Sequence, residues 1–218
     1  MQIGVTIGTR DRPEYLDRCL TSLKKAINVA QINGIHVDVI LVDNGSTNPQ
    51  TLNLIQQSGY EYWLNQYCSG YKIEICRGCD MMLDRYNIAM NLDADAIIRS
   101  DFFVRVLDIF HQFPNHIITG FNCKSHKIIE QGNNWCKKSS AGGINLLFSR
   151  DTYYKWIRPF LISHQEPWDV FATQKATRDG FPVICTVPSI VQHIGLQSLL
   201  GHYHPDGTVD IADDYIDL

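Results

Sequence analysis

Apolar residues recur along this chain in two alternating rhythms. Ile3-Gly4-Val5-Thr6-Ile7 is strand-like and runs into the polar stretch Gly8 to Arg12. Pro13 then suits the first turn of a helix. From Pro13 to about Ala30, Leu16, Cys19, Leu20, Leu23, Ala26, Ile27 and Ala30 fall at helical spacing, and Gly34 closes that helix. Val37 to Val42 is almost wholly apolar and predicts a second strand, buried on both faces. Asp43-Asn44-Gly45-Ser46-Thr47-Asn48 breaks it, with Asn48 placed to cap a helix reaching about Ser58. Further on, the pattern predicts a short strand over Tyr60 to Asn65 and a helix from Ile73 to about Arg85. A strand over Tyr86 to Leu92 follows, then an amphipathic helix from Asp101 to Phe113 that Pro114 stops. His116 to Phe121 and Ile144 to Phe148 read as strands, and a helix starts near Pro167. Residues 122 to 141 are polar with little periodicity and read as a long loop, a feature that tends to carry function.

Strand and helix alternating at short spacing imply a mostly parallel sheet covered by helices. Ligands of such sheets lie beyond the carboxyl ends of the strands. Three polar clusters fall at three predicted strand ends: Thr9 to Arg12, Asp43 to Ser46, and Asp93 to Asp95. The third is the most informative. In a strand, residues i and i+2 point to the same side, so Asp93 and Asp95 would place two carboxylates together. Such a pair is costly unless a cation lies between them. A hard divalent ion with oxygen ligands, Mg²⁺ or Mn²⁺, meets that need. These ions commonly accompany phosphates, which points to a nucleoside diphosphate. A turn with two solvated aspartates is the plainer reading of the triplet taken alone.

Composition narrows the picture. With 218 residues, one domain or a two-lobed single domain is expected, large enough to bury a core without staples. Net charge is −4, so nothing global draws the chain to nucleic acid or an anionic membrane. Lys24-Lys25 and Lys137-Lys138 are short basic spots that read as solvated surface. Seven cysteines, an odd count without framework spacing, suggest free thiols in a reducing compartment. No signal peptide precedes the first strand and no apolar stretch reaches transmembrane length, so a cytoplasmic location is expected. Cys76-Arg77-Gly78-Cys79 is a lone C-x-x-C without the second ligand pair a zinc site needs.

Six pieces, in order, carry a resemblance. They are Ile3 to Leu23; Val39-Ile40-Leu41-Val42-Asp43-Asn44-Gly45-Ser46-Thr47; Arg77 upstream of Asp93-Ala94-Asp95; Gly142-Gly143; Trp168-Asp169 with Gly180 downstream; and Pro188 to His193. Together they resemble the GT-A-fold, nucleotide-sugar-dependent glycosyltransferases of the large inverting family 2. The resemblance covers most of residues 1 to 195. It implies an α/β, Rossmann-like single domain with a mixed, mostly parallel sheet flanked by helices. Residues 1 to 100 would hold the nucleotide and 101 to 218 the acceptor side and base, with a C-terminal tail. Two departures stand out. The opening loop is more charged than the family's usual Tyr-Asn or Asn-Arg pattern, and Trp168 stands where the family has a glutamate before the aspartate.

The resemblance implies roles residue by residue. Asp95 is the expected ligand of Mn²⁺ or Mg²⁺, with Asp93 near the ribose or the ion and His193 a further ligand. Asp43 and Asn44 would meet the base, since carboxylate and amide can pair with the edge of uracil. Thr9 and Arg10 would line that pocket, Arg77 would approach base or diphosphate, and Gly142-Gly143 would let backbone approach the donor sugar. Asp169 is the expected catalytic base, with Glu166 as fallback. Trp168 and Trp135 are candidates to stack on a sugar face. A plainer reading stands beside each: an Asx turn for Asp43, a surface salt bridge for Arg77, a helix N-terminal aspartate for Asp169, core packing for the tryptophans. His202 and His204 form a conceivable metal pair or part of a solvated tail.

The expected activity is hexosyltransferase-like transfer of one sugar, from a UDP-sugar for preference, to the hydroxyl of a glycan or other acceptor. A nucleic-acid acceptor is disfavoured by the acidic charge. The short length lacks the membrane segments of processive synthases. Two rivals remain: a non-catalytic nucleotide- or sugar-binding relic of the same fold, and a nucleotidyltransferase. The second would want a glycine-rich basic loop after the first strand, where this chain has only Gly4 and Gly8.

Overall fold

A computed structural model describes residues 1–195, 210–212 and 214–216. The first half alternates: β1 (Gln2–Thr9), α1 (Pro13–Ile32), β2 (His36–Asp43), α2 (Pro49–Gln57), β3 (Glu61–Leu64), α3 (Tyr71–Arg85) and β4 (Ile88–Asp93). The second half is less regular. It runs β5 (Ala96–Ile98), α4 (Phe102–Gln112), β6 (Ile118–Thr119), β7 (Ile128–Gln131), β8 (Trp135–Lys138) and β9 (Asn145–Ser149). Then come α5 (Arg150–Thr152), a π-helical turn (Tyr153–Ile157), α6 (Arg158–Leu161), α7 (Trp168–Arg178), β10 (Val183–Thr186) and β11 (Val191–His193). Nine strands form one sheet in the order β3-β2-β1-β4-β9-β6-β10-β8-β7, and β5 pairs with β11 apart from it. Pairing is parallel from β3 to β4 and between β6 and β10, and antiparallel elsewhere. This is a single mixed α/β domain, with a mixed sheet flanked by helices as the resemblance implies. Among the described residues, no helix is long and apolar enough to cross a membrane.

The composition of β1 explains how helices cover both faces of the sheet. Successive strand residues point to opposite faces. Ile3, Val5 and Ile7 share one core with Leu16, Cys19 and Leu23 of α1. The alternate positions, Gly4, Thr6 and Gly8, are small, and α3 lies against them. A Cβ on Gly4 would sit 2.6 Å from the Cβ of Met82. A Cβ on Gly78 would collide with Thr6. The two glycines let the helix backbone come down onto the strand, which anchors the α3 N-terminus beside the strand ends.

Most predicted elements appear within a residue or two of their expected bounds, with Asn48 capping α2 through its side chain and Gly34 at φ 72° after α1. Three expectations are corrected. The first three residues of β2 are not buried, because the short β3 pairs only with Ile40 to Asp43 and leaves them at the edge of the sheet. The strand expected over His116 to Phe121 shortens to Ile118–Thr119. The stretch 122–141 is not one long loop: it holds the β7–β8 hairpin, joined to β10. That hairpin hides in the sequence because an inward position is a lysine. Lys138 is buried and donates from Nζ to the Cys123 carbonyl, so the period-two signal carries a charge where an apolar residue is expected.

Candidate active site

Register brings the three polar clusters together. Thr9 pairs with Asp43 and Gly8 with Asp93, so the carboxyl ends of β2, β1 and β4 share one edge. The Asn44 N–H donates to the Thr9 carbonyl at 2.8 Å. Asp43 is buried and closes its own loop one residue further on than an Asx turn would: its carboxylate accepts the Ser46 N–H at 2.9 Å and the Ser46 hydroxyl at 2.5 Å. A carboxylate has about four lone-pair sites, so acceptor capacity remains for a ligand. Asn44 Oδ1 accepts the Ser69 N–H at 2.9 Å. The Thr9 hydroxyl is buried without a partner among the described residues, and Arg10 is exposed with Nη1 at 3.2 Å from Cys68 Sγ. Asp11 clamps the first loop onto the second. Its Oδ1 accepts the N–H groups of Thr47 and Asn48, both at 2.9 Å, and its own N–H donates to Ser46 Oγ at 2.7 Å. The clamp holds Asp11 and Arg12 at φ 48° and 57°, a left-handed conformation uncommon for such residues.

Asn65, which no motif singles out, is the hub of the nucleotide-side edge. Its Nδ2 donates to the Asp43 carbonyl at 2.7 Å and to Glu74 Oε1 at 3.0 Å. Its Oδ1 accepts Arg77 Nη1 at 2.7 Å and Trp63 Nε1 at 3.1 Å. The Arg77 guanidinium also lies 5.2 Å from the Trp63 ring. Arg77 is thus neither a plain surface salt bridge nor free; its fork is held at the edge of the Asp43 loop. Glu74, fully buried beneath this network, has its pKa raised by burial. The available signal was a polar residue directly after an exposed strand. Asn65→Leu leaves Glu74 and the Asp43 carbonyl short of a donor. Expected is a loss of about 1–3 kcal/mol in urea unfolding, with weaker nucleotide binding in the same protein by calorimetry.

Asp93 ends β4, whereas Asp95 lies in the turn into β5 rather than on the strand. The two carboxylates meet because the chain folds over, not because of strand alternation. Burial, then the neighbouring Asp95 charge, pushes the Asp93 carboxyl up to about 8. Antiparallel pairing sets His193 opposite Ala96, and the Ile194 N–H donates to the Asp95 carbonyl at 2.8 Å. His193 Nε2 lies 3.4 Å from Asp95 Oδ2, and Arg12 Nη1 lies 2.9 Å from the same oxygen. Burial alone would raise the Asp95 pKa, but His193 and Arg12 outweigh it and lower it. His193 Nδ1 is 3.1 Å from the Asp210 carbonyl, which can only accept, so Nδ1 carries a proton. A neutral His193 then aims its Nε2 lone pair at a carboxylate. Either a second proton or a cation between the two relieves that opposition.

This donor set fits Mg²⁺ or Mn²⁺. Among the described residues no three His, Cys, Asp or Glu side chains are grouped as a cage. These ions take one or two protein groups and complete their shell with water and phosphate oxygens, so no cage is required. Asp95 and His193, with Asp93 beside them, supply that number. The backbone carbonyl holding the far nitrogen of the histidine is the usual support of a metal-binding imidazole. His202 and His204 lie outside the described residues, and all seven cysteines, Cys76 and Cys79 among them, are free thiols.

Across the site stands the N-terminus of α7. Asp169 Oδ2 accepts the Gly143 N–H at 2.5 Å and Oδ1 accepts the Val170 N–H at 2.9 Å. Burial raises its pKa, with these amide bonds opposing in part. A Cβ on Gly143 would come within 3.1 Å of Asp169 Oδ2 and 3.0 Å of the Trp168 ring. The Gly143 carbonyl accepts from Asn91 of β4, and the Asp93 N–H donates to the Ile144 carbonyl at 2.9 Å. Gly143 and Ile144 therefore link the end of β4 to Asp169. Asn91, buried two residues before Asp93, is a positioning residue the sequence did not single out.

Glu166 is tied down. It pairs with Lys72 at 2.9 Å, accepts the Tyr71 hydroxyl at 2.7 Å and accepts the Trp168 N–H at 3.2 Å. Burial would raise its pKa, but these partners lower it, which makes it the poorer base. It borders a cleft of about 860 Å³, lined also by Tyr71, Ile73, Arg77, Met81 and Ile162. Trp168 is 2% exposed and packs in the core with Ala172 and Trp156, so it offers no open ring face to a sugar. Trp135 sits on β8, beyond β9, β6 and β10 from the acidic turn, and packs edge-on against Phe113 at 4.9 Å.

Residues 5–164 match the family described as Glycosyl transferase family 2. No curated protein matches the chain by sequence. Among solved structures, the crystal structure of S. aureus TarS 1-349 superposes with a TM-score of 0.58 at 11% identity. The match covers 85% of this chain and 58% of that one, and at this identity the likeness is one of fold. This chain thus corresponds to little more than half of the TarS chain.

Proposed function

Because the chain belongs to glycosyl transferase family 2, we propose that it moves one sugar from a nucleoside diphosphate sugar to an acceptor hydroxyl by single displacement. Inversion follows from a single displacement, with Asp169 as base. The observation that carries the reading is that Gly143 ties the two sides together, its N–H donating to Asp169 Oδ2 and its carbonyl accepting from Asn91, two residues before Asp93.

The nucleotide end of the donor lies along Thr9, Arg10, Asp43 and Asn44. Asp43 and Asn44 suit the N–H and C=O edge of uracil, so a UDP-sugar is the preferred donor. Arg77 brings its fork to the same edge. The sugar passes over Gly142 and Gly143, where a side chain would fill its space. Asp169 takes the acceptor proton as the new bond forms. Its buried setting makes the carboxylate more basic, and two backbone amides fix its orientation. Asp95 and His193, with Asp93 alongside, would hold Mn²⁺ or Mg²⁺, which would supply positive charge to neutralise a departing diphosphate. Glu166, three residues before Asp169 and held by Tyr71 and Lys72, is assigned to the acceptor side. Residues 1–100 thus serve the nucleotide and the remainder the acceptor and the base.

Incubation with a panel of UDP-, dTDP- and GDP-sugars and Mn²⁺, read by release of nucleoside diphosphate and mass of the sugar product, tests this. Diphosphate release with transfer or free sugar supports it. Pyrophosphate exchange with a sugar phosphate indicates a nucleotidyltransferase, and binding without turnover of any donor or acceptor indicates a relic.

A further inference from the structure

We propose that Arg12 is a displaceable counter-ion on Asp95 that couples binding of the divalent ion to binding of the donor diphosphate; this rests on the metal and donor reading above. Neither the family motifs nor the sequence assigns Arg12 a role.

Asp95 Oδ2 is shared. Arg12 Nη1 sits on it at 2.9 Å while His193 Nε2 approaches the same atom at 3.4 Å. An ion bound between Asp95 and His193 would therefore share that oxygen with the Arg12 guanidinium, and the two positive charges would repel. The guanidinium cannot simply leave. Its backbone is locked by the Asp11 clamp, with both residues in the left-handed region. That strain is the kind held at sites where it serves a function. Its fork rests 4.2 Å from the Tyr15 ring. Its Nη2 is already buried without a partner among the described residues. Gly195 lies so close over the pair that a Cβ there would collide with Asp95 and come within 2.9 Å of Arg12 Nη2.

Arg12 and Asp95 expose only 21% and 16% of their side chains. Removing Asp95 from Arg12 in so sheltered a place strands a charge, which is strongly unfavourable. The ion alone must bear that cost. A diphosphate arriving with the ion relieves it, because a guanidinium fork matches phosphate oxygens in two parallel hydrogen bonds. Ion and diphosphate therefore help each other bind, and linkage makes the effect reciprocal. Free metal would be held weakly until the donor arrives.

The test measures Mn²⁺ binding by loss of the free-ion signal in electron paramagnetic resonance, on the full chain, with and without UDP, dTDP or GDP. Wild-type protein should bind Mn²⁺ weakly alone and about 10-fold or more tighter with whichever diphosphate it accepts. Arg12→Gln should bind Mn²⁺ alone about 10-fold tighter than wild type, with the enhancement by diphosphate reduced toward onefold. Arg12→Met should behave alike, and thermal unfolding checks that both variants fold. Equal Mn²⁺ affinity in wild type and variants, or an unchanged enhancement, overturns the role of Arg12 while leaving the metal site standing. Absence of Mn²⁺ binding in every protein, with or without diphosphate, overturns both this inference and the metal reading it rests on.

Discussion

Asp169→Asn should lower turnover by about 10²- to 10⁴-fold, with donor affinity measured by calorimetry little changed. The carboxylate is placed to accept the acceptor proton, and an amide cannot do so at neutral pH. The structure adds a second consequence. Both oxygens of Asp169 accept backbone N–H groups, from Gly143 and Val170. An asparagine can accept one of them and must turn its NH₂ toward the other. A stability loss of about 1–3 kcal/mol is expected from that unmade bond, so thermal unfolding belongs beside the kinetics. Glu166→Gln is the companion variant. Glu166 is engaged by Lys72 and Tyr71 and its pKa is lowered, so its loss should alter acceptor affinity more than the chemical step. Near wild-type turnover in Asp169→Asn with inactive Glu166→Gln would hand the role to Glu166. Full activity in both would refute a single displacement assisted by either carboxylate.

The second large effect is expected at Asp95. Asp95→Ala should abolish the stimulation of turnover by Mn²⁺ or Mg²⁺ and reduce the maximal rate by about 10³-fold or more, the size expected when several kcal/mol of charge stabilisation on a leaving group is lost. UDP-sugar binding should become indifferent to metal or chelator. The same change leaves Arg12 and His193 without their shared partner. Asp95→Asn is therefore the control, since it keeps an oxygen for Arg12 but not the charge that holds a hard cation. An enzyme fully active in chelator, with Asp95→Ala unimpaired, would refute the metal assignment.

Much of the nucleotide-side architecture was legible from residues alone, for a reason of scale. The strand ends at Thr9, Asp43 and Asp93 are each local events, an apolar run broken by polar residues, and parallel pairing aligns such ends automatically. Asn48 as cap and Gly34 as terminator are likewise local. The β7–β8 hairpin was not legible, because the buried Lys138 satisfies its charge on the Cys123 carbonyl and defeats the period-two pattern. Trp168 looked like a candidate for sugar stacking because aromatic side chains serve core and ligand alike. Only packing beneath Gly143 tells them apart.

The sequence by itself determined the parallel half of the sheet and the chemical types present at its edge. Those depend on periodicity and on residues a few positions apart. Which groups actually touch was decided by tertiary structure. His193 reaches Asp95 because β11 pairs with β5, far away in the chain. Asn65 becomes a hub because β3 ends beside the Asp43 loop and α3 starts over it. Arg12 lands on Asp95 because Asp11 bonds backbone amides of the next loop. Each of these contacts joins segments distant in sequence, and an orientation set by such pairing leaves no periodic trace in the order of residues.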